Sequence, residues 1–317
     1  MVALGIDFGT SGARAIALNA TGQCLAQSRH RFAAGEVEHP SAWRRGLWKL
    51  FSDLESSALS RVQRIAINGT SATALLCDRT NAPLTPALLY NNSSARSALP
   101  NLRNIAPAGS PTLSVTSTLT KALWWHRTLP AERAAAVTHI AHQADWLAAQ
   151  LHGQPAISDY HNALKLGYDV RSRCYPDWLL ALPMASWLPS VQVPGEVVSP
   201  ILPNIATQFG LPKTCQICAG TTDSIAAFLA SGAHLSGEAV TSLGSTLVLK
   251  LLSPVPIDDP PSGVYSHRLG DLWLAGGASN TGGAVLQQYF SSEQLSSLSA
   301  QIDPTAPCSL DYYPLPQ

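Results

Sequence analysis

The stretch Leu4-Gly5-Ile6-Asp7-Phe8-Gly9-Thr10-Ser11-Gly12-Ala13-Arg14-Ala15-Ile16-Ala17-Leu18 limits what this chain can fold into more than any other. Two apolar, strand-like arms flank a turn of small residues, which predicts a β-hairpin. Gly9 and Gly12 permit backbone angles and close approaches that a Cβ would block. Thr10 and Ser11 add hydroxyls to the N–H groups of the turn, and Arg14 adds a planar cation. Such a turn is an anion cradle suited to phosphate. Asp7, at its entrance, does not hold phosphate directly; its natural partner is a hydrated cation such as Mg²⁺. An ordinary glycine-containing hairpin shares the backbone pattern, but the acid, two hydroxyls and arginine together favour a nucleotide-phosphate grip.

Three familiar templates do not fit. Asp7-Phe8-Gly9 spells the metal-binding tripeptide of protein kinases, yet it opens the chain with no catalytic-loop pattern before it. His267-Arg268 is followed by Leu269, not by an acid. No Gly-Lys pair exists to build a P-loop, and the turn lacks the G-x-G-x-x-G spacing of dinucleotide folds. A strand–turn–strand phosphate grip remains.

At 317 residues the chain exceeds what one core comfortably organises, so two domains are expected. Lys+Arg and Asp+Glu are both 20 and no basic run occurs, which excludes broad electrostatic binding to nucleic acid. With 46% hydrophobic and 13% charged residues, a well-buried globular protein is expected. No apolar run reaches membrane-spanning length and the chain starts directly in a strand, so a cytoplasmic location without membrane contact is expected. Oligomeric state leaves no mark in the sequence. The lone Cys215-Gln216-Ile217-Cys218 has no second pair or histidine spacing for zinc, and it runs into Ala219-Gly220 as a buried strand.

Beyond the hairpin, residues 23–32 read as a third strand, and 39–54 as a helix with Trp43, Leu47, Leu50 and Leu54 on one face. Arg64-Ile65-Ala66-Ile67 reads as a buried strand ending in Asn68-Gly69-Thr70-Ser71-Ala72-Thr73, where α/β sheets place ligands. Ser71 and Thr73 are candidate partners for sugar hydroxyls, although such a loop can also satisfy its own backbone. Leu88-Leu89-Tyr90 reads as a short strand, and 118–127 and 140–151 as helices. Asp159, His161 and Asn162 either face a polar cleft or cap the turn that follows.

A second focus is Ile217-Cys218-Ala219-Gly220-Thr221-Thr222-Asp223-Ser224-Ile225. A strand passes through small residues to an acid that opens an apolar helix. Asp223 suits a helix cap, and it equally suits a general base: a carboxylate on a rigid element, kept ionised by the helix N-terminus. Then comes an echo of the opening hairpin. Gly237 to Leu251 again runs strand, Gly244-Ser245-Thr246 turn, apolar strand, and Leu272-Trp273-Leu274-Ala275 follows as another strand. This weak internal repeat predicts two related domains. Gly276 to Gly283, including Gly282-Gly283, then leads into a helix, with backbone that can approach a nucleotide closely.

Together these motifs resemble the FGGY carbohydrate kinases of the actin-like ATPase superfamily. The hairpin resembles that family's first phosphate motif, Gly220-Thr221-Thr222-Asp223-Ser224 its catalytic-base motif, and Leu243-Gly244-Ser245-Thr246 its second phosphate motif. Asn68 to Thr73 is similar to a ribulokinase-type sugar loop, and Ser158 to Asn162 to an Asp-Tyr-x-Asn-Ala stretch. More narrowly, the chain is similar to the short D-ribulose kinase-like sugar kinases of cyanobacteria and plants. The resemblance implies an α/β, ribonuclease H-like (actin-like ATPase) fold with two related domains flanking a cleft, at 1–230 and 231–317. It implies Asp223 as the base that deprotonates a sugar hydroxyl. Thr10, Ser11, Gly12, Arg14, Gly244, Ser245 and Thr246 would lie around the phosphates of ATP, and Gly283 would bring backbone near the nucleotide. Asp7 would hold Mg²⁺ or touch the sugar, and Ser71 would contact a small ketopentose, with D-ribulose expected. The family pattern continues past Leu310 to Pro316 with a Gly-Gly-Gly-x-x-Asn-type stretch that grips adenosine, so a truncated second domain is expected. A sugar- or phosphate-binding remnant without catalysis is the alternative, and an actin-like switch with protein partners a more distant one.

Overall fold

A computed structural model describes residues 1–244, 246–279 and 281–307. Alternation of apolar and small polar residues in the first thirty positions builds three strands: β1 (Val2–Phe8), β2 (Gly12–Asn19) and β3 (Cys24–Arg31). Strand β4 (Arg64–Gly69) lies parallel to β1, pairing Asp7 with Asn68 and Phe8 with Gly69. Strands β5 (Ala74–Cys77) and β6 (His139–His142) form a separate antiparallel pair, and β7 (Ile157–Asp159) and β8 (Ser190–Gln192) a parallel one. The main sheet is completed by β9 (Val197–Pro200), β10 (Gln216–Cys218) and β11 (Thr221–Thr222), in the order β3-β2-β1-β4-β10-β9 with β11 also on β4.

One face of this sheet is apolar. Leu4, Ile6, Phe8, Ala13, Ala15, Ile65 and Ile67 pack against Trp43, Leu47 and Leu50 of the Pro40–Asp53 helix and Trp146, Leu147 and Leu151 of the Gln143–His152 helix. Because side chains alternate along a strand, Asp7, Arg14 and Asn68 stand on the opposite face. A second apolar cluster gathers Leu76, Leu102, Leu119, Ala122 and Trp125 around the Thr118–Thr128 helix.

Two readings are corrected. The helix expected over 140–151 begins only at Gln143, because Ile140 is drawn into pairing with Leu76 of β5. His142 and Asp145 then close a reciprocal cap: Asp145 Oδ2 accepts from the His142 backbone N–H at 3.2 Å and lies 2.8 Å from its Nδ1. Leu88-Leu89-Tyr90 forms no strand; Leu88 makes a single bridge to Ala74.

The chain divides into two compact units, Met1–Ala227 and Phe228 onward. The second holds a four-stranded antiparallel sheet of β12 (Ala239–Leu243), β13 (Leu247–Ser253), β14 (Tyr265–Leu269) and β15 (Leu272–Ser279), ordered β12-β13-β15-β14. Strand β15 thus sits beside the second hairpin strand, as β3 does in the first unit, while β14 is an added edge. Among the described residues no helix is long and apolar enough to cross a membrane.

Candidate active site

Three parallel strands, β1, β4 and β11, end side by side, and each carboxyl end carries a predicted site residue. The turn after β1 is tight: Gly9 N–H donates to Gly12 O at 3.0 Å, and Phe32 N–H to Ser11 O at 3.1 Å. Gly12 allows this closure, since a Cβ there would lie 2.2 Å from the His30 carbonyl oxygen. Thr10 and Ser11 are left exposed at the tip, with exposed Arg14 opposite Asp7 on the neighbouring strand.

Gly220 does for Asp223 what Gly12 does for the hairpin. Strand β10 runs beside Arg64 and Ile65 of β4, breaks at 219–220, and resumes as β11 with Thr221 beside Asn68 and Thr222 beside Gly69. A Cβ on Gly220 would meet the Ile67 carbonyl oxygen at 2.0 Å, so the backbones touch where only hydrogen fits. The chain then turns into the Asp223–Ala230 helix, with Asp223 as its first residue. Its Oδ1 accepts from Ser224 N–H at 2.7 Å.

Asp7, Asn68 and Thr221 therefore form a row across three adjacent strands, with Asp223 two residues further along. Asp7 is half-buried and its carboxyl is held above the usual carboxylate range, first by burial and then by the Asp223 carboxylate, with Arg14 pulling it back. Two carboxylates close enough to repel suit a divalent cation that shares them with phosphate oxygens. Among the described residues no cluster of three or more acidic, histidine or cysteine side chains could cage a metal alone. The donor set fits Mg²⁺ arriving with a nucleotide.

The loop after β4 is bound tightly from several sides. Gln143 Oε1 accepts from Thr70 N–H at 3.0 Å and from Thr70 Oγ1 at 3.1 Å. Thr73 Oγ1 accepts from Tyr90 N–H at 3.0 Å, and Gln143 N–H donates to Thr73 O at 3.0 Å. Ser71, half-buried, stands on this loop. Thr73, the other hydroxyl singled out in the sequence, is buried, with its Oγ1 engaged by Thr70 and the Tyr90 N–H.

Between the cap and the cleft, the buried Ser158–Asn162 cluster takes the cap. Asp159 Oδ1 accepts from the backbone N–H groups of His161 and Asn162 at 2.8 and 3.0 Å, opening a helix at Tyr160, earlier than the turn expected after 162. Burial, then the Asp145 carboxylate, raises the Asp159 carboxyl, while the Asn162 amide pulls it down. His161 reaches out of this cluster, its Nδ1 lying 2.8 Å from Thr221 Oγ1, and so braces the strand that delivers Asp223.

In the second unit, Gly244 N–H donates to Thr246 O at 3.0 Å and Gly283 N–H to Gly244 O at 2.8 Å. The echo turn and the glycine-rich segment are thus in contact, as a backbone cradle needs. Ser245 lies outside the described residues. Sequence reasoning overlooked Gln143 and Lys121, which hold the Ser71 loop. Nothing local distinguishes them from ordinary polar helix residues.

Residues 2–230 match the N-terminal domain of the FGGY family of carbohydrate kinases. The chain belongs to that family. FGGY relatives include a xylulose kinase of Escherichia coli, 25% identical over 285 residues, covering 85% of this chain and 58% of the relative. An apulose kinase of Pectobacterium atrosepticum is 30% identical over 282 residues, covering 80% of this chain and 55% of the relative. The chain thus spans somewhat more than half the length of these curated relatives. Among solved structures, a xylulose kinase from Rhodospirillum rubrum superposes with a TM-score of 0.81 at 20% identity, covering 96% of this chain and 68% of the other. A glycerol kinase of Plasmodium falciparum with ADP gives 0.79 at 14% identity, covering 95% and 66%. The fold is therefore the actin-like, ribonuclease H-like α/β fold of FGGY sugar kinases.

Proposed function

We propose that this FGGY chain carries the acceptor and base side of an ATP-dependent phosphotransferase acting on a ketopentose, with D-ribulose the first candidate and D-xylulose the second. The observation that carries the reading is Asp223, fixed at a helix start beside the row Asp7–Asn68–Thr221 at the carboxyl ends of three parallel strands. The names of the xylulose and apulose kinases support a ketopentose acceptor.

In this reading, Ser71 orients the sugar and Asp223 accepts the proton of one sugar hydroxyl as its oxygen bonds to the γ-phosphorus of ATP. The bond to the β,γ-bridging oxygen breaks and ADP leaves with its electron pair. Thr10, Ser11, Gly12 and Arg14 bind phosphate oxygens, and the turn at Gly244 and Thr246 with Gly283 holds the nucleotide from the second unit. Mg²⁺, when bound, neutralises charge on the phosphates, and Asp7 holds its water shell or touches the acceptor. The proposed division of labour puts the sugar site, the base and the first phosphate turn in residues 1–230 and the remaining nucleotide contacts in 231–317, in the cytoplasm.

The test is ADP release coupled to NADH oxidation, with D-ribulose, D-xylulose and glycerol offered in turn. Turnover with a ketopentose that vanishes in Asp223→Ala, with an unchanged melting curve, is the expected result. No ADP with any of the three sinks the kinase reading. Calorimetric sugar binding without ATP binding would instead support a sugar-binding chain without catalysis.

A further inference from the structure

Lys121 is fully buried in the first turns of the Thr118–Thr128 helix, and among the described residues no carboxylate pairs with it. Burying an ammonium without a counter-ion is costly unless its protons are hydrogen-bonded. Here all three find acceptors, and all three are backbone carbonyls. Lys121 Nζ donates to Ala72 O at 2.7 Å, to Leu89 O at 2.7 Å and to Leu88 O at 3.4 Å. An apolar side chain of similar size would fill the space without the desolvation cost. What it could not do is bind these carbonyls.

The carbonyls belong to two separate segments. Leu88 and Leu89 precede Tyr90, whose N–H holds Thr73. Ala72 directly follows Ser71 and has a φ of 62°, a left-handed conformation that alanine disfavours. A non-glycine residue stays there only when its surroundings over-determine it. Thr70 and Thr73 are tied to Gln143, Tyr90 and each other, but the Ala72 carbonyl accepts from Lys121 alone among the described residues. The Ala72–Thr73 peptide is held at its N–H by Thr70 O at 3.2 Å and at its carbonyl by Lys121, so losing Lys121 releases the carbonyl end and loosens the turn that carries Ser71.

We propose that Lys121 is the positioning residue of the acceptor loop: it clamps the strained Ala72 peptide to the Leu88–Leu89 segment and so fixes the direction in which Ser71 meets the sugar. This rests on the acceptor reading of Ser71 given above. Lys121 touches neither sugar nor nucleotide in this scheme. Burial, with some help from Lys165, lowers its ammonium to about 7.

The experiment compares the native chain with Lys121→Met by amide hydrogen exchange, thermal unfolding and calorimetric titration with D-ribulose and D-xylulose. Expected are exchange at least fivefold faster in peptides covering 70–74 and 88–92 alone, an unchanged melting temperature, and ketopentose affinity at least tenfold weaker. Unchanged exchange in those two segments, a rise spread over the whole first unit, or unchanged sugar affinity despite loosened loops would each overturn the proposal. Lys121→Arg, which keeps the cation but spreads its donors in a plane, is read by the same criteria should Lys121→Met not fold. If the native chain binds neither sugar, the acceptor reading fails by itself, and the exchange pattern alone decides the clamp.

Discussion

The hairpin of β1 and β2 and the hairpin of β12 and β13 follow one sequence grammar and meet different fates. Both run apolar strand, glycine–hydroxyl turn, apolar strand. In the first, β1 lies between β2 and the parallel β4, and Leu4, Ile6 and Phe8 are sealed against two helices. In the second, β12 is the sheet edge among the described residues, and Leu243 and Leu249 are 74% and 54% exposed. The glycines differ likewise. A Cβ on Gly12 collides with a backbone carbonyl, whereas one on Gly244 meets, among the described residues, just the Thr246 carbonyl at 4.0 Å. A shared pattern of residue types therefore specifies the strands and the turn, and the neighbours specify how much each residue matters.

Six substitutions, in four experiments, test that contrast from the largest effect down. Asp223→Asn should reduce ketopentose-dependent ADP release by about 10²–10⁴-fold, the usual contribution of a general base, without moving the unfolding curve. Retained turnover would remove Asp223 from the chemistry. Next, Ile6→Ala should destabilise the first unit by about 2–5 kcal/mol in urea, as fully buried aliphatics do, whereas Leu249→Ala should stay within about 1 kcal/mol. Equal losses would mean that the second hairpin is as well covered as the first.

Gly12→Ala should cost about 1–3 kcal/mol, because a carbonyl of β3 must yield to the new methyl group, while Gly244→Ala should cost about 0.5 kcal/mol or less. Thermal unfolding of the pair decides it. The smallest effect concerns pH. Asp7 holds its proton to higher pH in the folded chain than in the unfolded one. The native state therefore binds more protons above pH 3.8, and Asp7 costs stability as pH rises through that window. Asp7→Asn should flatten this part of the stability–pH curve and raise the melting temperature slightly at neutral pH. An unchanged slope would mean that neither burial nor Asp223 raises the Asp7 carboxyl in the folded chain.

Much of the site was legible because it is written in local chemistry. Asp223 opens its helix where a strand runs through small residues into an apolar stretch, and the tight turn at Gly9–Gly12 follows from its glycines. Other parts were not. Ile140 to His142 belong to a stretch with helical spacing, yet pairing with β5 makes them part of a strand. Lys121 reads as an ordinary helix lysine, since a lysine on a helix is usually solvated and nothing nearby in sequence announces three converging carbonyls. The polar run at Ser158–Asn162 left open whether it capped a helix or faced a cleft, and burial settled it as a cap that also braces Thr221.

By itself the sequence determined the two hairpins, the glycine turns, the carboxylate at a helix start and the polar loop after a parallel strand. All of these depend on backbone preferences and side-chain alternation within a dozen residues. Only the tertiary structure decided which hairpin is buried, that Asp7, Asn68 and Thr221 share a row, and that Lys121 and Gln143 lash down the Ser71 loop. Those outcomes depend on register between strands far apart in sequence and on the cost of burying charge. Neither quantity exists until the chain has closed on itself.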